Sequence, residues 1–390
     1  MSLLFDLTAA QSTRERVHGG GEYAQAVFVH LLERAPEGTV EAVHHPERPL
    51  PEPVAHAAAA RGIPLHPARS VREIERVIAQ RRPRTFFSAL PYKYYGTDFG
   101  GTAFVMTVHG LRDVEQPSDA HAFRYARGPR RRLRALWHHL IRRRDAARAT
   151  RDFSALLRVR ARRLTLVAAS RHTRYALLTH FPFLDPGQVR VVYSPRPLKT
   201  RLDAPSARDP ARPMPEPGRR TVLLINSDRW IKNAYRAVRA LDGLITRRDP
   251  DLDAIVVGEP DGRRYGLRHP GRFRFLPYVS DAELMRLYRE AFCFFYPTLN
   301  EGFGYPPLEA MSQGTPVISS AAGPLTEVLG DAALFFDPLR PDEMQNRLLQ
   351  LVHEPGLWPR LSALGAERAR EVAHLQDAME QELIGLILED

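Results

Sequence analysis

The sequence predicts an α/β protein of two doubly wound, Rossmann-like domains, each built on a parallel sheet covered by helices. Short apolar runs typical of buried strands alternate with segments of helical periodicity along most of the chain. The clearest unit, residues 291–320, is an apolar run, a polar glycine-rich turn, a helix and a second apolar run. The length of 390 residues is enough for two domains of ordinary size.

The individual elements follow from these patterns. In the first half we predict strands at 2–6, 39–44, 63–66, 84–89, 103–110 and 164–170, and helices at 22–35, 50–61, 70–81 and from 171. In the second half we predict strands at 221–225, 254–260, 291–296 and 317–320, and helices from 233, from 281 and at 306–311, 341–353, 357–372 and 375–388. Seven prolines between Pro195 and Gly218 indicate a linker. The predicted domains are therefore 1–200 and 219–374, with a linker at 201–218 and a terminal helix at 375–390.

The turn after the strand at 291–296 carries the strongest functional signal. Glu301 leaves the strand end, Glu309 follows in what we predict to be the first turn of a helix, and Gly302 and Gly304 lie between them. Glycines let backbone N–H groups approach a ligand closely, and a helix start favours phosphate. An ionised carboxylate only accepts hydrogen bonds, so it suits the paired hydroxyls of a sugar or ribose. Together these residues predict a nucleotide-sugar site.

This stretch, NEGFGYPPLEAMSQGTPVISS, with the GPLTEVLGDAALFFDP that follows, resembles the signature of retaining GT-B glycosyltransferases of family 4. The resemblance implies that Glu301 contacts the donor sugar and that Glu309 holds the ribose hydroxyls. It also implies that the two domains face each other across a cleft and that the helix at 375–390 crosses back to the first domain.

The same resemblance extends to other short motifs. It implies that Gly20 and Gly21, in a loop before the first helix, lie beneath the donor diphosphate, and that His109, in HGLRD, points toward the anomeric carbon. Arg229 and Lys232 resemble the cation pair that neutralises the diphosphate. The remaining donor-binding positions that it implies are Tyr278 and Val279 at the nucleotide base and the turn residues Gly302, Phe303 and Gly304.

Two other motifs point to different chemistry. Gly19-x-Gly21-x-x-Ala24, with Glu41 downstream, fits a dinucleotide fingerprint, but about a dozen residues separate it from the preceding strand. Asp249-x-Asp251 has the spacing that metal-dependent transferases use, yet it falls between a helix and a buried strand, far from Glu301. We therefore predict no nicotinamide site, no metal and no cofactor besides the nucleotide-sugar substrate, with UDP, GDP and ADP left open as the nucleotide.

Composition limits where the protein works. The single cysteine, Cys293, permits no internal disulfide, which suits a reducing compartment. The sequence contains no apolar run of transmembrane length, and its first residues are typical of a strand rather than of a signal peptide. We expect a cytoplasmic protein, with peripheral contact to the inner face of the plasma membrane as an added hypothesis.

That hypothesis comes from a basic segment. Residues Arg124–Arg163 hold 15 arginines and two acids, whereas the whole chain has a net charge of +11. Leu133, Leu136, Trp137 and Leu140 recur there at helical spacing. The segment fits a solvated helix pair, a surface for anionic lipid, or a nucleic-acid patch. We rank nucleic acid last because the few aromatic residues of the segment show no pattern of base-stacking residues interleaved with the arginines.

The sequence thus predicts a retaining glycosyltransferase that moves a sugar from a nucleoside-diphosphate donor to a glycan or lipid-linked acceptor, in the synthesis of a cell-surface glycan or glycolipid. Two alternatives stay open. One is a GT-B synthase with a small soluble acceptor, and the other is a relative that binds nucleotide-sugar without turnover.

Overall fold

The structure is a computed structural model that describes residues 3–11, 19–196, 198, 220–249 and 251–388. The predicted linker at 201–218 lies outside these residues. The chain divides into two compact units: unit 1 is Met1–Leu111, Ala147–Ala204 and Ala373–Asp390, and unit 2 is Arg112–Ala146 and Pro205–Val372. Residues Arg112–Ala146 therefore group with the second unit, a grouping that the domain bounds predicted from the sequence do not contain.

Unit 1 is built on a parallel sheet of seven strands in the order β3-β2-β1-β4-β5-β6-β7. The strands are β1 (Leu3–Asp6), β2 (Val40–His44), β3 (Leu65–Pro67), β4 (Thr85–Ser88), β5 (Ala103–Val108), β6 (Leu164–Ala168) and β7 (Val189–Val191). Strand β1 begins the sheet, and the chain adds strands first on one side of it and then on the other. The switch point of the sheet therefore lies between β1 and β4.

Unit 2 repeats this plan with six parallel strands in the order β10-β9-β8-β11-β12-β13. The strands are β8 (Arg220–Leu224), β9 (Leu252–Val257), β10 (Phe273–Leu276), β11 (Cys293–Tyr296), β12 (Val317–Ser320) and β13 (Ala333–Phe336). Its switch point lies between β8 and β11. Two doubly wound parallel sheets confirm the predicted fold class.

Helices cover the sheets. In chain order they are α1 (Gly19–Arg34), α2 (Glu52–Ala60), α3 (Val71–Arg81), α4 (Arg112–Glu115), α5 (Pro129–Leu140), α6 (Arg142–Leu156), α7 (Arg171–His180), α8 (Ala234–Arg247), α9 (Asp281–Glu290), α10 (Tyr305–Ser312), α11 (Leu325–Leu329), α12 (Pro341–His353) and α13 (Leu357–Leu388). Most begin where the sequence predicts. Ser280, for example, caps α9 by accepting a hydrogen bond from the N–H of Glu283, as its capping box predicts.

The structure corrects three details. The sequence predicts two terminal helices, at 357–372 and 375–388, but α13 is one continuous helix, because no glycine or proline interrupts residues 366–384. The three glycines predicted as a loop form the first turn of α1. Glu309 is the fifth residue of α10 and so lies in its second turn, because the helix already begins at Tyr305.

Each unit has its own apolar core. In unit 2 the core contains Trp358 and Leu361 from the start of α13, and in unit 1 it contains Leu383, Ile384 and Ile387 from the end of the same helix. Among the described residues, no helix is both long enough and apolar enough to span a bilayer.

Candidate active site

The centre of the site in unit 2 is an ion pair between Lys232 and Glu301. Lys232 follows β8 and Glu301 follows β11, so both lie at the carboxyl ends of the two strands that flank the switch point. The Lys232 Nζ atom lies 2.5 Å from Oε1 of Glu301, and the side chains are 8% and 15% exposed. The same carboxylate oxygen accepts hydrogen bonds from Tyr296 Oη at 2.7 Å and Thr298 Oγ1 at 2.8 Å.

Burial and ion pairing shift the pKa values of Glu301 and Lys232 in opposite directions. Burial alone would raise the pKa of Glu301, but the Lys232 charge and the hydrogen bonds from Lys232, Tyr296 and Thr298 outweigh it and hold the pKa below its usual value. Burial lowers the pKa of Lys232, and the charge of Glu301 opposes that shift. All the hydrogen bonds that described residues donate to Glu301 reach Oε1. The pair is thus a fixed charge assembly beside the glycine-rich turn.

The turn after Glu301 is shaped by glycines. Gly304 caps α10 with φ 110°, and a Cβ there would lie 2.6 Å from Cδ2 of Leu325. Gly323 has φ 57°, and its Cβ would lie 3.1 Å from the carbonyl oxygen of Glu301. Only glycine satisfies both the backbone conformation and the close approach at these positions. Phe303, which directly precedes Gly304, is buried, at 4% exposure.

Glu309 contacts a different part of the unit. Its Oε2 accepts a hydrogen bond of 3.3 Å from the hydroxyl of Tyr288, a residue of α9 that is fully buried. Glu309 as a whole is half-buried. Glu309 and Glu301 therefore flank the start of α10, as the sequence predicts, although Glu309 lies one turn deeper in the helix.

The predicted base-binding turn lies beside the loop after β8. The Tyr278 hydroxyl donates a 2.6 Å hydrogen bond to Asp228, which directly precedes Arg229. Gly258 at the end of β9 fits between them with φ 93°, and a Cβ there would lie 3.1 Å from the backbone nitrogen of Ser227. Val279 is half-buried and Arg229 is exposed. The structure thus places Arg229, Lys232, Tyr278, Val279 and the Glu301 turn along one edge of the second sheet.

The other predicted site residues lie in unit 1. A Cβ at Gly20 would come within 2.7 Å of Leu90, so the first turn of α1 packs closely against the loop after β4. His109 follows β5, and its Nε2 lies 2.9 Å from the carbonyl oxygen of Ala89. Because a carbonyl only accepts, Nε2 carries the proton and Nδ1 has its lone pair available. Burial lowers the pKa of His109 to about 4, so the ring is neutral at pH 7.

Sequence reasoning missed several contributors. Tyr296 and Thr298 donate to Glu301 but read only as part of a buried strand and the residues after it. One signal for Tyr296 was available in the sequence, because this residue carries a hydroxyl and lies at the strand end nearest the turn. Asp119 and Arg236, which form a buried bidentate pair in unit 2, carry no motif at all.

The Asp249-x-Asp251 motif has a structural role. Asp249 accepts from Arg220 at 2.8 Å and from the N–H of Asp251 at 3.2 Å, at the amino end of β8. Among the described residues, no three His, Cys, Asp or Glu side chains come together as metal ligands would.

The fold has known counterparts. Sucrose-phosphate synthase from Thermosynechococcus elongatus superposes with a TM-score of 0.65 over 100% of both chains, at 15% sequence identity. Likeness at this identity concerns the fold alone, and the fold is the two-domain α/β architecture called GT-B.

Sequence similarity to known proteins extends over the second half of the chain. Residues 208–370 match the family model described as Glycosyl transferases group 1. The O-antigen chain mannosyltransferase B of Escherichia coli is 42% identical over 101 residues, which are 26% of each protein. The MMP alpha-(1->4)-mannosyltransferase of Mycolicibacterium hassiacum is 30% identical over 226 residues, 55% of this chain and 52% of the relative. The chain thus matches between a quarter and about half of the length of these relatives.

Proposed function

We propose that the protein is a retaining glycosyltransferase that moves a sugar from a nucleoside-diphosphate donor to an acceptor hydroxyl in the synthesis of a cell-surface glycan or glycolipid. The observation that carries the proposal is the buried Lys232–Glu301 pair at the switch point of unit 2, next to the glycine turn and Glu309. A cation, a sugar-binding carboxylate and a ribose-binding carboxylate are what a nucleotide-sugar requires.

The roles follow from chemistry. A nucleoside diphosphate leaves with two negative charges, which Lys232, Arg229 and the N–H groups at the start of α10 would stabilise. Glu301 would hold sugar hydroxyls, and neutral His109 would accept a hydrogen bond from a hydroxyl at Nδ1 without taking its proton. We propose front-face displacement, in which the leaving phosphate oxygen takes the proton of the acceptor. No metal is needed in this scheme, so activity should survive EDTA, and a loss that manganese or magnesium restores would contradict it.

The names of the relatives suggest where to look for the donor. Both relatives described above are mannosyltransferases by name, so a mannosyl donor is the first choice. Wild type should be screened with GDP-mannose, UDP-glucose and ADP-glucose by thermal shift, since a ligand of the folded state raises its apparent stability. Slow donor hydrolysis would then report turnover, with Glu301→Gln as the matched control. Failure of all nucleotide-sugars and free nucleoside diphosphates to bind would overturn the proposed function.

We further propose that helices α5 and α6 hold the protein on an anionic membrane. Leu133, Trp137 and Leu140 on α5 are 71%, 58% and 74% exposed, so this apolar stripe does not pack on the protein. Exposed arginines surround it on both helices: Arg130, Arg131, Arg132, Arg134, Arg142, Arg143 and Arg144. Apolar side chains beside cations match the boundary between acyl chains and anionic headgroups. Each arginine near such a surface contributes about 1 kcal/mol.

Vesicle sedimentation tests this second part. Vesicles with phosphatidylglycerol should bind the protein at low salt and release it at high salt, and neutral vesicles should not bind it. Replacing Arg130, Arg131, Arg132, Arg142, Arg143 and Arg144 by Gln should abolish binding without changing nucleotide affinity. If wild type does not bind anionic vesicles at low salt, helices α5 and α6 are a solvated surface. A soluble acceptor would then be favoured over a lipid-linked one.

A further inference from the structure

Residues 112–127, called the strap here, belong to unit 2 although they come directly after the His109 loop in the chain. The strap holds α4 and a short 3-10 turn, Ala122–Tyr125, and forms no strand of either sheet. Several of its side chains reach residues that adjoin the Lys232–Glu301 pair or the start of α8.

The strongest of these contacts is a buried ion pair. Arg236 on α8 donates to both oxygens of Asp119, at 3.0 and 2.8 Å, and the two side chains are 12% and 7% exposed. The same guanidinium donates a 2.9 Å hydrogen bond to the side-chain oxygen of Asn233. Asn233 directly follows Lys232 and is held in a left-handed conformation with φ 57°. Asp119 is therefore connected through two side chains to the backbone that carries Lys232.

The second contact reaches the other member of the pair. The Asn300 side-chain amide donates a 3.0 Å hydrogen bond to Glu115 of the strap, and Asn300 directly precedes Glu301. Each partner of the Lys232–Glu301 pair thus has a neighbouring asparagine that is linked to an acidic residue of the strap, directly through Glu115 or by way of Arg236.

A third contact fixes the helix that follows Lys232. The Tyr125 hydroxyl accepts a 2.7 Å hydrogen bond from the N–H of Tyr235 in the first turn of α8. Asn233, at the N-cap of this helix, makes no capping hydrogen bond with its side chain, so Tyr125 satisfies one of the amides that a helix start leaves open. The Arg124 guanidinium stacks 4.3 Å from the centre of the Tyr235 ring.

We infer that the strap sets the geometry of the Lys232–Glu301 pair, with Asp119, Arg236 and Glu115 as positioning residues for the donor diphosphate. The expected effect on donor binding rests on the proposed function, whereas the effect on the geometry of the Lys232–Glu301 pair does not. Buried bidentate pairs keep a fixed geometry, and small displacements of a catalytic group have large effects on rate. The strap therefore makes donor binding depend on residues outside every motif of the donor site.

The chain offers a direct probe, because it contains three lysines, Lys93, Lys199 and Lys232. Labelling lysine with ¹⁵N at Nζ gives a spectrum of at most three side-chain signals, and Lys232→Arg assigns the one of interest. The variants are Asp119→Asn, Arg236→Gln and Glu115→Ala, the last of which removes the acceptor of the Asn300 hydrogen bond.

The matched control is Asp249→Asn. It also breaks a buried carboxylate–arginine pair of unit 2, with side chains 4% and 27% exposed, but at the amino end of β8. Because β8 has five residues, this pair lies about 15 Å from the strand end that leads to Lys232.

We expect the strap variants to shift the Lys232 signal and to raise the dissociation constants of UDP or GDP about tenfold. The control should lower the melting temperature about as much as the strap variants do, but it should neither shift the Lys232 signal nor raise the dissociation constants. When Asp119→Asn is combined with Arg236→Gln, the Lys232 signal and the dissociation constants should change little further, because the two residues act through one contact.

An unmoved Lys232 signal in every folded strap variant would overturn the inference. If wild type binds no nucleoside diphosphate but the signal still moves, the proposed function fails and the positioning role stands.

Discussion

The two units each place a lysine beside a carboxylate at the switch point of their sheet, yet the two pairs differ. In unit 1 Lys93 lies 3.1 Å from Asp6, whose side chain is completely buried while Lys93 is 36% exposed. In unit 2 both Lys232 and Glu301 are largely buried, at 2.5 Å from each other.

The partners of the two carboxylates explain the difference. Asp6 accepts from the hydroxyls of Ser88 and Tyr94 on one oxygen and from the N–H of Thr8 on the other, so both oxygens bind neighbouring structure. Hydrogen bonds to Glu301 from described residues all reach one oxygen. A carboxylate whose two oxygens both accept hydrogen bonds from the protein stabilises the fold. A carboxylate that accepts them at one oxygen can also bind a ligand through the other. We therefore expect the pair in unit 2, and not the one in unit 1, to determine donor chemistry.

The largest expected effect comes from Lys232→Ala. Removing one partner of a buried pair leaves Glu301 uncompensated, and we expect the free energy of unfolding to fall by about 3 kcal/mol. Turnover should fall about 10³-fold, because the charge that stabilises the leaving diphosphate is lost. Initial rates and urea unfolding measure both effects. Lys93→Ala is the matched control and should leave turnover within about twofold of wild type, since we assign it to the fold. Equal losses of turnover in the two variants would remove the distinction between the units.

Glu301→Gln separates sugar contact from nucleotide contact. Turnover should fall about 10²-fold, because Gln lacks the charge that holds the sugar hydroxyls, although its side-chain oxygen can still accept a hydrogen bond from Lys232. Affinity for free UDP or GDP should stay within about threefold, since Glu301 is assigned to the sugar alone. Calorimetry with free nucleotide, run beside single-turnover kinetics, checks this. Normal turnover in the variant would remove Glu301 from the site.

Glu309→Ala should show the opposite behaviour. If this carboxylate holds the ribose hydroxyls, donor and free nucleoside diphosphate should both weaken, by about 1.5–3 kcal/mol, or roughly 10- to 150-fold. Tyr288→Phe is a useful companion, because it removes the 3.3 Å hydrogen bond to Glu309 without removing the carboxylate. Its effect should be smaller. Unchanged nucleotide affinity in Glu309→Ala would contradict the assignment.

Much of the fold could be predicted because its determinants are local. Apolar strands, capping residues such as Ser280 and helix-starting prolines each have a pattern within a few residues. The continuous α13 was missed because two cores, one in each unit, bury different parts of a single helix, and sequence periodicity does not distinguish this from a break.

The residues of the candidate site could be predicted only where they belong to contiguous sequence motifs. Glu301 and Glu309 lie in one stretch, and the structure places them on either side of the start of α10. Asp119 and Arg236 are separated by 117 positions, and neither has a neighbouring signal that announces their contact. The exposure of the α5 stripe was also undecided, because a helix packed on its own domain has the same pattern as one that faces a membrane.

The smallest expected effect concerns His109, the titratable site residue of unit 1. Burial lowers its pKa from 6.5 to about 4, against a hydrogen bond to Ala89 that raises it. The unfolded chain therefore binds more protons than the folded one between these values, so stability is complete above pH 6.5 and is lost as the pH falls toward 4. At pH 5 the loss due to this residue should be about 1–2 kcal/mol, with the lower figure favoured because the ring is partly exposed. His109→Gln keeps a donor for the Ala89 carbonyl but cannot titrate. Urea unfolding of both proteins at pH 7.5 and 5.0 isolates the difference from the other histidines. An identical pH dependence would mean that His109 already carries its ordinary pKa, and a neutral acceptor at Nδ1 would then need another explanation.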